Sequence, residues 1–435
     1  MFILQEQFRS HYISEINLKL VGKEISLAGW VHEVRDLGHI LFVLLRDNTG
    51  IIQITAKKGV VLEDIIKQMI LPKESVITIK GVVVENKQAK NGVEIIPNYI
   101  KDLNPLSSSI PFEVTGKVPV ELDVRLNFRY IDLRRLQTTS VFNIESTVLE
   151  NFRKILKKEN FKEIRTPSLV KEATEGGTDL FKVDYFGDAA YLAQSPQLYK
   201  QLAVIGGFDK VFMVTPVFRA EKHNTIFHLN EITQMDVEIG FSDHNDAIKL
   251  LKKTVKGILN SVIKENSEDL SRLGVDIKND KIVEITYKKA ISELQKDGRN
   301  ISIGDDFSKE DELRLGKIFG DLLIVKEYPT AIRAFYSMPT DSDPEFSNTF
   351  DFIYKGLEIS SGAQRIHIPY LLEEAIRKRG NDPKLFEFYV SAFKNGAPPH
   401  SGWSIGLERF VMRITNMSNI RECSMFPRDR TRLAP

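Results

Sequence analysis

The sequence has few of the features that are typical of secreted proteins, of proteins stabilised by a structural metal ion, or of membrane proteins. Its 435 residues include a single cysteine, Cys423, which excludes an internal disulfide and a zinc site built on cysteines. No run of about 18 apolar residues occurs, so no membrane span is expected. The first residues mix charged and apolar side chains and lack the apolar core of a signal peptide. We therefore expect a protein of a reducing, cytoplasmic compartment.

Neither sign of charge dominates the chain. There are 60 Lys and Arg against 59 Asp and Glu, which gives a net charge of +1. The chain as a whole is therefore not a strongly basic protein that covers nucleic acid, and this balance does not exclude a local basic patch. The sequence lacks both of the usual glycine-rich phosphate loops, which are G-x-x-x-x-G-K-[ST] and G-x-G-x-x-G after a strand. A nucleotide would have to be held in another way.

The N-terminal part of the chain is rich in short β-type runs. Apolar residues make up 42% of the sequence and charged residues 27%, as in soluble globular proteins, and the length suggests two to four domains. Five runs are separated by turn signals, at residues 25–34, 40–46, 51–56, 76–84 and 93–100, with a helix expected at 61–70. Five strands with one helix favour a small closed barrel over a sandwich, which usually needs about seven strands.

A proline- and serine-rich linker follows the barrel and leads into an irregular pattern of strands and helices. Apolar residues from Val141 to Ile155 recur at helical spacing. Strands are expected at 211–218, 231–239 and 349–353, and helices at 247–265, 371–379 and 383–394. Because regular βαβ units are missing, we expect an α+β fold with an antiparallel sheet flanked by helices. We place the barrel at 1–103, the linker at 104–135 and the second domain at 136–435, in which 267–337 shows little functional signal.

Two segments carry residues suited to binding a nucleotide. The expected strand ending at Phe218 continues into Arg219 and Glu221, a cation for a phosphate and a carboxylate for an amino group. By itself, such a pair is more often a surface ion pair. Residues 402–409, GWSIGLER, predict a glycine-bearing strand that runs into a helix with Glu408 and Arg409 in its first turn. An ordinary strand–helix corner is the alternative for this segment.

Taken together, these segments resemble motifs 2 and 3 of the class II aminoacyl-tRNA synthetases. The helix from Val141 and the proline at Pro167 resemble motif 1, the dimerisation element. Within this class, the chain resembles the aspartyl-tRNA synthetases of subclass IIb, of the archaeal and eukaryotic type. Four segments carry it, TEGGT at 174–178, QSPQLYK at 194–200, FRAEKHNT at 218–225 and EISSGAQR at 358–365, and the similarity extends from Gly29 to Asp429.

The resemblance implies an aspartate–tRNA ligase that acts as a homodimer. Such an enzyme uses ATP and Mg²⁺ to form aspartyl-adenylate and transfers the aspartyl group to the 3′ end of tRNA(Asp); whether tRNA(Asn) is also charged stays open. The alternatives are a catalytically inactive tRNA-binding paralogue and an asparaginyl-type relative. Arg219, Glu221, Glu358 and Arg409 are all present, which counts against an inactive paralogue. A third alternative is an amide-forming relative similar to asparagine synthetase. Such paralogues lack the N-terminal barrel that is expected here.

For ATP, the resemblance assigns Arg219 and Arg409 as the catalytic residues. Arg219 is expected at the α-phosphate, Arg409 and His228 at the γ-phosphate, and Glu221 at the adenine amino group. Further contacts are implied for Phe227, Leu229, Glu358, Gly406, Leu407 and Glu408. The oxygens of Glu358 and Ser361 suit Mg²⁺, with Asp351 as a candidate for a neighbouring ion. Ile232 stands where many of these enzymes have an aromatic residue, and Ser404 replaces a glycine found in some of them.

For aspartate, the resemblance assigns Lys200 and Arg365 to the side-chain carboxylate. Glu175, on a glycine-hinged loop, is expected to close over the ammonium group, and Asp236 is a further acid in the pocket. The remaining contacts are implied for Ser195, Gln197, Arg219 and Ser361. Similar asparaginyl enzymes lack a lysine at the place of Lys200, because an amide needs no second cation. Lys200 therefore argues for aspartate over asparagine.

In the expected barrel, which in this family is an OB-fold that binds the tRNA anticodon, Phe42 is assigned to stack on the central anticodon base. Gln53 would bond the edge of that base. Further candidates are Arg35 and Glu94, and also His32 and Lys90 near the third base. A phenylalanine in a β-type run is more often a core residue, and the family match reverses that weighting.

Overall fold

The protein divides into two compact units, Met1–Thr139 and Ser140–Pro435. This computed structural model describes residues 8–89, 92–104, 106–171 and 179–435. The first unit contains β1 (Glu24–Asp36), β2 (Ile40–Arg46), β3 (Ile51–Lys57), α1 (Glu63–Gln68), β4 (Val76–Glu85), β5 (Val93–Asn104), α2 (Leu122–Asn127) and α3 (Arg129–Asp132).

The five strands of the first unit close into a barrel in the order β1-β2-β3-β5-β4. The pair β3–β5 is parallel and the other neighbouring pairs are antiparallel. Side chains alternate between the two faces of each strand. On β2, therefore, Leu41, Val43 and Leu45 fill the barrel core, whereas Phe42 and Leu44 lie on its outer face. The predicted barrel is confirmed, with α1 shorter than the expected helix.

The chain then continues with a larger set of elements. They are α4 (Leu136–Lys158), β6 (Lys162–Glu163), β7 (Leu169–Val170), β8 (Lys182–Tyr185), β9 (Asp188–Leu192), α5 (Gln197–Ile205), β10 (Lys210–Phe218), β11 (Glu231–Gly240), α6 (His244–Glu265), α7 (Ser267–Leu273), β12 (Val283–Thr286), α8 (Tyr287–Lys296), α9 (Lys309–Phe319), β13 (Leu322–Lys326), β14 (Thr349–Tyr354), β15 (Leu357–Gln364), α10 (Pro369–Lys378), α11 (Glu387–Lys394), β16 (His400–Gly406) and α12 (Leu407–Ile414). The helix expected at 383–394 begins as a 3-10 helix, Pro383–Phe386, before α11.

The second unit is built on an eight-stranded sheet in the order β12-β13-β14-β15-β16-β11-β10-β6. The six strands from β13 to β10 are antiparallel, as expected, whereas β12 and β6 pair in parallel at the two edges. The sheet is therefore mixed, within the predicted α+β class. A parallel pair needs a long crossover connection, which α8 and α9 supply between β12 and β13. A separate small sheet has the order β7-β9-β8.

The two faces of the large sheet differ in character. Residues such as Met235, Val237 and Trp403 pack with α4 and α6 in one hydrophobic core. The residues that alternate with them, Gln234 and Asp236 on β11 among them, project from the opposite face. The polar residues of the site lie on this second face. No helix in the part of the chain that the structure describes has the length and apolar character needed to cross a membrane.

Candidate functional site

A row of polar residues crosses four adjacent strands on the open face of the sheet. Asp236 on β11 lies opposite Ser404 on β16, Ser404 lies opposite Ser361 on β15, and Ser361 lies opposite Asp351 on β14. Residues directly opposite each other on paired strands share a face, so these four side chains lie side by side. The row brings together residues that are up to 168 positions apart, as in the hydrogen bond from Ser404 Oγ to Asp236 Oδ2 (3.2 Å).

Two adjoining cavities open on this face, and the first collects the predicted ATP residues. Its lining includes Arg219, Glu221, Phe227, His228, Leu229, Glu358, Gly406, Glu408 and Arg409. Ile232, Ser361 and Ser404 also line it. Leu407 does not, because its side chain is packed in the hydrophobic core.

The second cavity collects most of the predicted aspartate residues. Its lining includes Ser195, Gln197, Arg219, Asp236, Ser361 and Arg365. The two cavities share Arg219, Gln234, Ser361 and Ser404. Glu175 lies outside the described residues. Arg219 therefore belongs to the common wall of the two cavities.

Lys200 does not line the second cavity but belongs to a buried charge cluster at its wall. Its Nζ atom lies 2.7 Å from Asp236 Oδ1 and 3.4 Å from Glu238 Oε2. Arg365 donates to the same Glu238 carboxylate at 2.9 and 3.2 Å. Burial alone would raise the pKa of Glu238, but Arg365 and Lys200 outweigh it and hold that pKa below its ordinary value. The cluster therefore balances two cations with two carboxylates, and it reaches the cavity through Asp236 and Arg365.

Glu238 was not predicted from the sequence. It follows Asp236 by two residues on β11, so both point to the same face, and that spacing is a signal that could have found it. The same spacing applies to Gln234, which lines both cavities and was also missed.

Several buried polar atoms around the cavities have no hydrogen-bond partner among the described residues. They include Arg219 Nε, Gln197 Nε2 and Gln234 Oε1. Buried polar groups in folded proteins are nearly always paired, with protein, water or ligand. Water or a polar ligand in the cavities would pair these three atoms.

The loop between β10 and β11 holds Arg219 and Glu221 on the cavity wall. The strand ends at Phe218, so both residues belong to the loop. Asn230 fixes that loop, because its side-chain amide donates to the carbonyl oxygens of Arg219 (2.6 Å) and Glu221 (3.1 Å). Farther along, the Nδ1 atom of His228 lies 2.5 Å from the Thr225 hydroxyl. Burial and the nearby Arg409 cation lower the pKa of His228.

A β-bulge decides where Glu358 points. Residues three apart on a regular strand face opposite sides, yet Glu358 and Ser361 both line the first cavity. The register of β15 against β14 shifts at this point, leaving Ile359 as the extra residue, and the shift restores a common face. Burial and the Asp351 carboxylate raise the pKa of Glu358 to about 7. A nearby cation would stabilise the charged form of the Glu358 carboxylate and lower its pKa.

The oxygen atoms of Glu358 and Ser361 suit a cation whose coordination the nucleotide phosphates would complete. Among the described residues no group of three or more His, Cys, Asp or Glu side chains is arranged to hold a metal. Mg²⁺ is usually bound by one or two protein oxygens together with substrate phosphates, which matches Glu358 and Ser361. Asp351 instead bonds Arg333, so its carboxylate already has a cation. Arg333 comes from the stretch in which the sequence showed little functional signal, and it lines the second cavity.

In the first unit, four predicted residues share one outer face of the barrel. Phe42 lies opposite Arg35 on β1 and opposite Thr55 on β3. The Glu94 carboxylate accepts hydrogen bonds from Gln53 (2.8 Å) and from Thr55 (2.6 Å). Phe42 lies outside the barrel core, so it is not the buried core residue that a phenylalanine in a β-type run more often is.

His32 has a different environment from these four. It occupies the position where the register of β1 against β2 shifts, and its Nδ1 atom lies 2.9 Å from Arg46. Arg46 in turn forms a buried ion pair with Glu74 at 2.7 Å. Burial and the Arg46 cation lower the pKa of His32. Lys90, the other residue predicted near the third anticodon base, lies outside the described residues.

Comparison with known proteins agrees with this geometry in both units. The family of OB-fold nucleic acid binding domains matches residues 25–103, and the family of class II tRNA synthetases (D, K and N) matches residues 121–430. The Aspartate--tRNA(Asp/Asn) ligase of Methanocaldococcus jannaschii is 44% identical over 98% of this chain and 98% of its own length. The Aspartate--tRNA(Asp) ligase of Thermoplasma acidophilum is 42% identical over 98% of this chain and 99% of its own length.

Solved structures with the same fold include enzymes of both amino-acid specificities. The asparaginyl-tRNA synthetase of Pyrococcus horikoshii, complexed with asparaginyl-adenylate, matches with a TM-score of 0.93 and 32% identity, over 98% of this chain and 99% of the other. The aspartyl tRNA synthetase of Entamoeba histolytica matches with a TM-score of 0.90 and 32% identity, over 99% of this chain and 94% of the other. With its cavities, barrel and full-length relatives in agreement, the chain belongs to the class II aminoacyl-tRNA synthetases of the D, K and N group.

Proposed function

We propose that this chain is an aspartate–tRNA ligase, which activates L-aspartate with ATP and transfers it to the 3′ end of tRNA(Asp). Relatives named for this reaction align with almost the whole chain at 42% to 44% identity. The observation that carries the proposal is the junction of the two cavities at Arg219. One cavity has the residues suited to ATP and the other has those suited to aspartate. Arg219 lines both, and its Nε atom has no hydrogen-bond partner among the residues that the structure describes.

The first chemical step needs positioning and charge neutralisation more than acid–base help. The α-carboxylate of aspartate attacks the α-phosphorus of ATP, a carboxyl–phosphate bond forms, and the bond to pyrophosphate breaks. Arg219 would neutralise both the α-phosphate and the attacking carboxylate, which brings two anions together. In the second step the terminal ribose hydroxyl of tRNA attacks the aspartyl carbonyl, and AMP leaves. We assign no residue as a general base.

The remaining residues of the first cavity would hold the nucleotide. Arg409 and His228 would bind the γ-phosphate, Glu221 would accept from the adenine amino group, and Ile232 would give apolar contact to the base. Phe227, Leu229, Gly406 and Glu408 complete the wall. Glu358 and Ser361 would hold Mg²⁺, which supplies charge neutralisation along the triphosphate. A second ion at Asp351, and an ATP contact from Leu407, stay predictions.

In the second cavity, Arg365 would bind the side-chain carboxylate of aspartate directly. Lys200 would act at the cavity wall by offsetting the carboxylates of Asp236 and Glu238, because without it the charge cluster would be net negative beside an anionic substrate. Ser195 and Gln197 line the same cavity and would complete the aspartate contacts. Asp236 would also face the substrate ammonium group. The contact from Glu175 stays a prediction.

The outer face of the barrel would bind the anticodon. Phe42 would stack on the central base, with Gln53 and Glu94 at its edge and Arg35 beside it. His32 and Lys90 stay predictions for the third base. We further propose the boundaries 1–103 for this domain, 104–135 for the linker and 136–435 for the catalytic domain.

We also propose that the chain functions as a homodimer through the helix α4 and residues 164–167. Mass measurement in solution at micromolar concentration would test this, since a stable and active monomer would contradict the assignment.

The proposed reaction is tested by ATP–pyrophosphate exchange with aspartate or asparagine, followed by charging of tRNA(Asp) and tRNA(Asn). Aspartate should support exchange and asparagine should not. Arg219→Ala should abolish exchange, whereas Arg377→Ala, which removes a surface ion pair with Glu373 on α10, should retain it. A folded protein that prefers asparagine would refute the proposal, and charging of tRNA(Asn) would extend it.

A further inference from the structure

The position of Glu358 depends on an irregular stretch of β15. The bulge at Ile359 is what puts Glu358 and Ser361 on one cavity wall. A bulge interrupts the hydrogen-bond ladder, so its backbone groups need partners from elsewhere. The group that pairs with the backbone of the bulge therefore also fixes the direction in which Glu358 points.

The partner of the Glu358 amide is a buried side chain from α9. The Glu358 N–H donates to Glu312 Oε2 at 2.7 Å. The other oxygen, Oε1, accepts from Lys309 Nζ at 2.6 Å. Glu312 is only 2% exposed, so this carboxylate is committed to two contacts and has little access to solvent. One oxygen anchors the bulge and the other is held by a cation on the same helix.

Helix α9 is docked closely against the turn between β14 and β15. A Cβ atom on Gly356 would lie 2.8 Å from the Leu313 Cα, and one on Gly316 would lie 3.0 Å from the Gly356 Cα. Lys355 and Gly356 both have positive φ, 46° and 69°, as a two-residue hairpin turn requires. This backbone-to-backbone contact leaves the helix little freedom to slide, and it sets Glu312 beside the bulge.

We propose that Glu312 is a positioning residue for ATP binding, which acts by holding the Glu358 bulge in the geometry that aims Glu358 at the triphosphate. Lys309 supports it by fixing the second carboxylate oxygen. The inference rests on the proposed function, in which Glu358 contacts ATP and Mg²⁺. It adds a residue from 267–337 that touches neither substrate.

The test compares equilibrium binding of ATP with Mg²⁺, by calorimetry, across variants of Glu312. Glu312→Ala should weaken ATP binding about tenfold, the order expected for a lost hydrogen bond to a charged group, and leave aspartate binding within about twofold. Glu312→Asp keeps the charge but shortens the reach, and should weaken ATP binding more than Glu312→Gln, which keeps an oxygen within reach of the amide. Glu310→Ala, an exposed neighbour on the same helix that pairs with Arg299 and Arg314, is the matched control and should bind ATP normally.

A double-mutant cycle separates positioning from general destabilisation. If Glu312 acts through Glu358, the pair Glu312→Ala and Glu358→Ala should bind ATP no more weakly than Glu358→Ala alone. Additive effects, an equal loss of aspartate affinity, or a Gln variant worse than the Asp variant would each overturn the inference. The conservative Asp and Gln variants decide the question even where the alanine variant does not fold. A wild-type chain that binds no ATP would refute the proposed function and this inference together, whereas normal wild-type binding with an unaffected Glu312→Ala variant would refute this inference alone.

Discussion

Replacing Lys200 by methionine should impair both aspartate binding and stability, because the lysine is one quarter of a closed charge cluster. Lys200, Asp236, Glu238 and Arg365 are each 4% exposed or less. Methionine keeps much of the side-chain length and removes the charge. Two carboxylates then share the single cation of Arg365, and the cluster becomes net negative at the wall of the proposed aspartate site.

The expected magnitudes follow from the burial of the cluster. Breaking a buried ion pair by removing one partner costs about 3–5 kcal/mol in unfolding free energy. For binding, Lys200 acts through the charge balance of the cluster and not as a direct partner of the substrate. One unit charge at about 8 Å from a carboxylate is worth about 2 kcal/mol at an effective dielectric constant of about 20, so KM for aspartate should rise roughly 30-fold. ATP binding should change little, since the cluster reaches the second cavity through Asp236 and Arg365, and neither of these residues lines the first cavity.

The assay is ATP–pyrophosphate exchange over a range of aspartate and then of ATP concentrations, with thermal melting of the same samples. Lys253→Met serves as the control, because Lys253 is 57% exposed and pairs with Glu159 on the surface. Its melting temperature and both KM values should stay near those of the wild type.

An unchanged KM for aspartate in folded Lys200→Met protein would remove Lys200 from substrate recognition. A loss of ATP affinity equal to the loss of aspartate affinity would show that the substitution disturbs the whole site rather than the charge balance of one cavity.

Three other substitutions test separate parts of the structure. Phe42→Ala should raise KM for tRNA roughly fivefold to a hundredfold, as expected for a lost base stack, with exchange activity and melting unchanged. Leu62→Ala, an exposed apolar residue before α1 that is outside the proposed contacts, is the control. A lower melting temperature with normal tRNA binding in Phe42→Ala would contradict the assignment. Gly402→Ala would put a Cβ atom 2.3 Å from Glu238 Oε2, so unfolding free energy should fall by about 1–3 kcal/mol, measured in urea; an unchanged midpoint would refute the predicted clash. Burial raises the pKa of Glu408 to about 7, so the folded protein binds more protons than the unfolded chain and the group's contribution to stability is lost as pH rises toward about 7. Glu408→Gln should therefore melt higher relative to the wild type at pH 8 than at pH 5, and a pH-independent difference would refute this reasoning.

Much of the fold was predictable because local patterns and tertiary structure agree. In the barrel, strands alternate apolar and polar residues, and that period of two defines both the strands and the residues that enter the core. Strand β2 was predicted at its observed bounds, 40–46. The turn to α12 was predicted as well, because the glycine-bearing strand and the amphipathic helix meet at Gly406. The parallel edge strands β6 and β12 were not, since they are short and their pairing depends on distant chain segments.

The sequence by itself determined which residue types are available to the site and in what order they occur. Arg219, Glu221 and Arg409 could be singled out because each lies in a motif whose chemistry suits phosphates or amino groups, whereas Arg365 was assigned only by the family resemblance. Alternation along β11 also places Gln234 and Glu238 on the same face as Asp236. Such local patterns are visible in one dimension because side-chain direction on a strand depends only on position parity.

Only the tertiary structure decided which of these residues meet and what state they are in. The partnership of Lys200 with Glu238, the capture of Asp351 by Arg333 and the support of Glu358 by Glu312 all join segments far apart in the chain. The bulge at Ile359 reverses the face that strand parity would give Glu358. These features depend on sheet register and helix docking, which arise from the packing of the whole unit and leave no local pattern in the sequence.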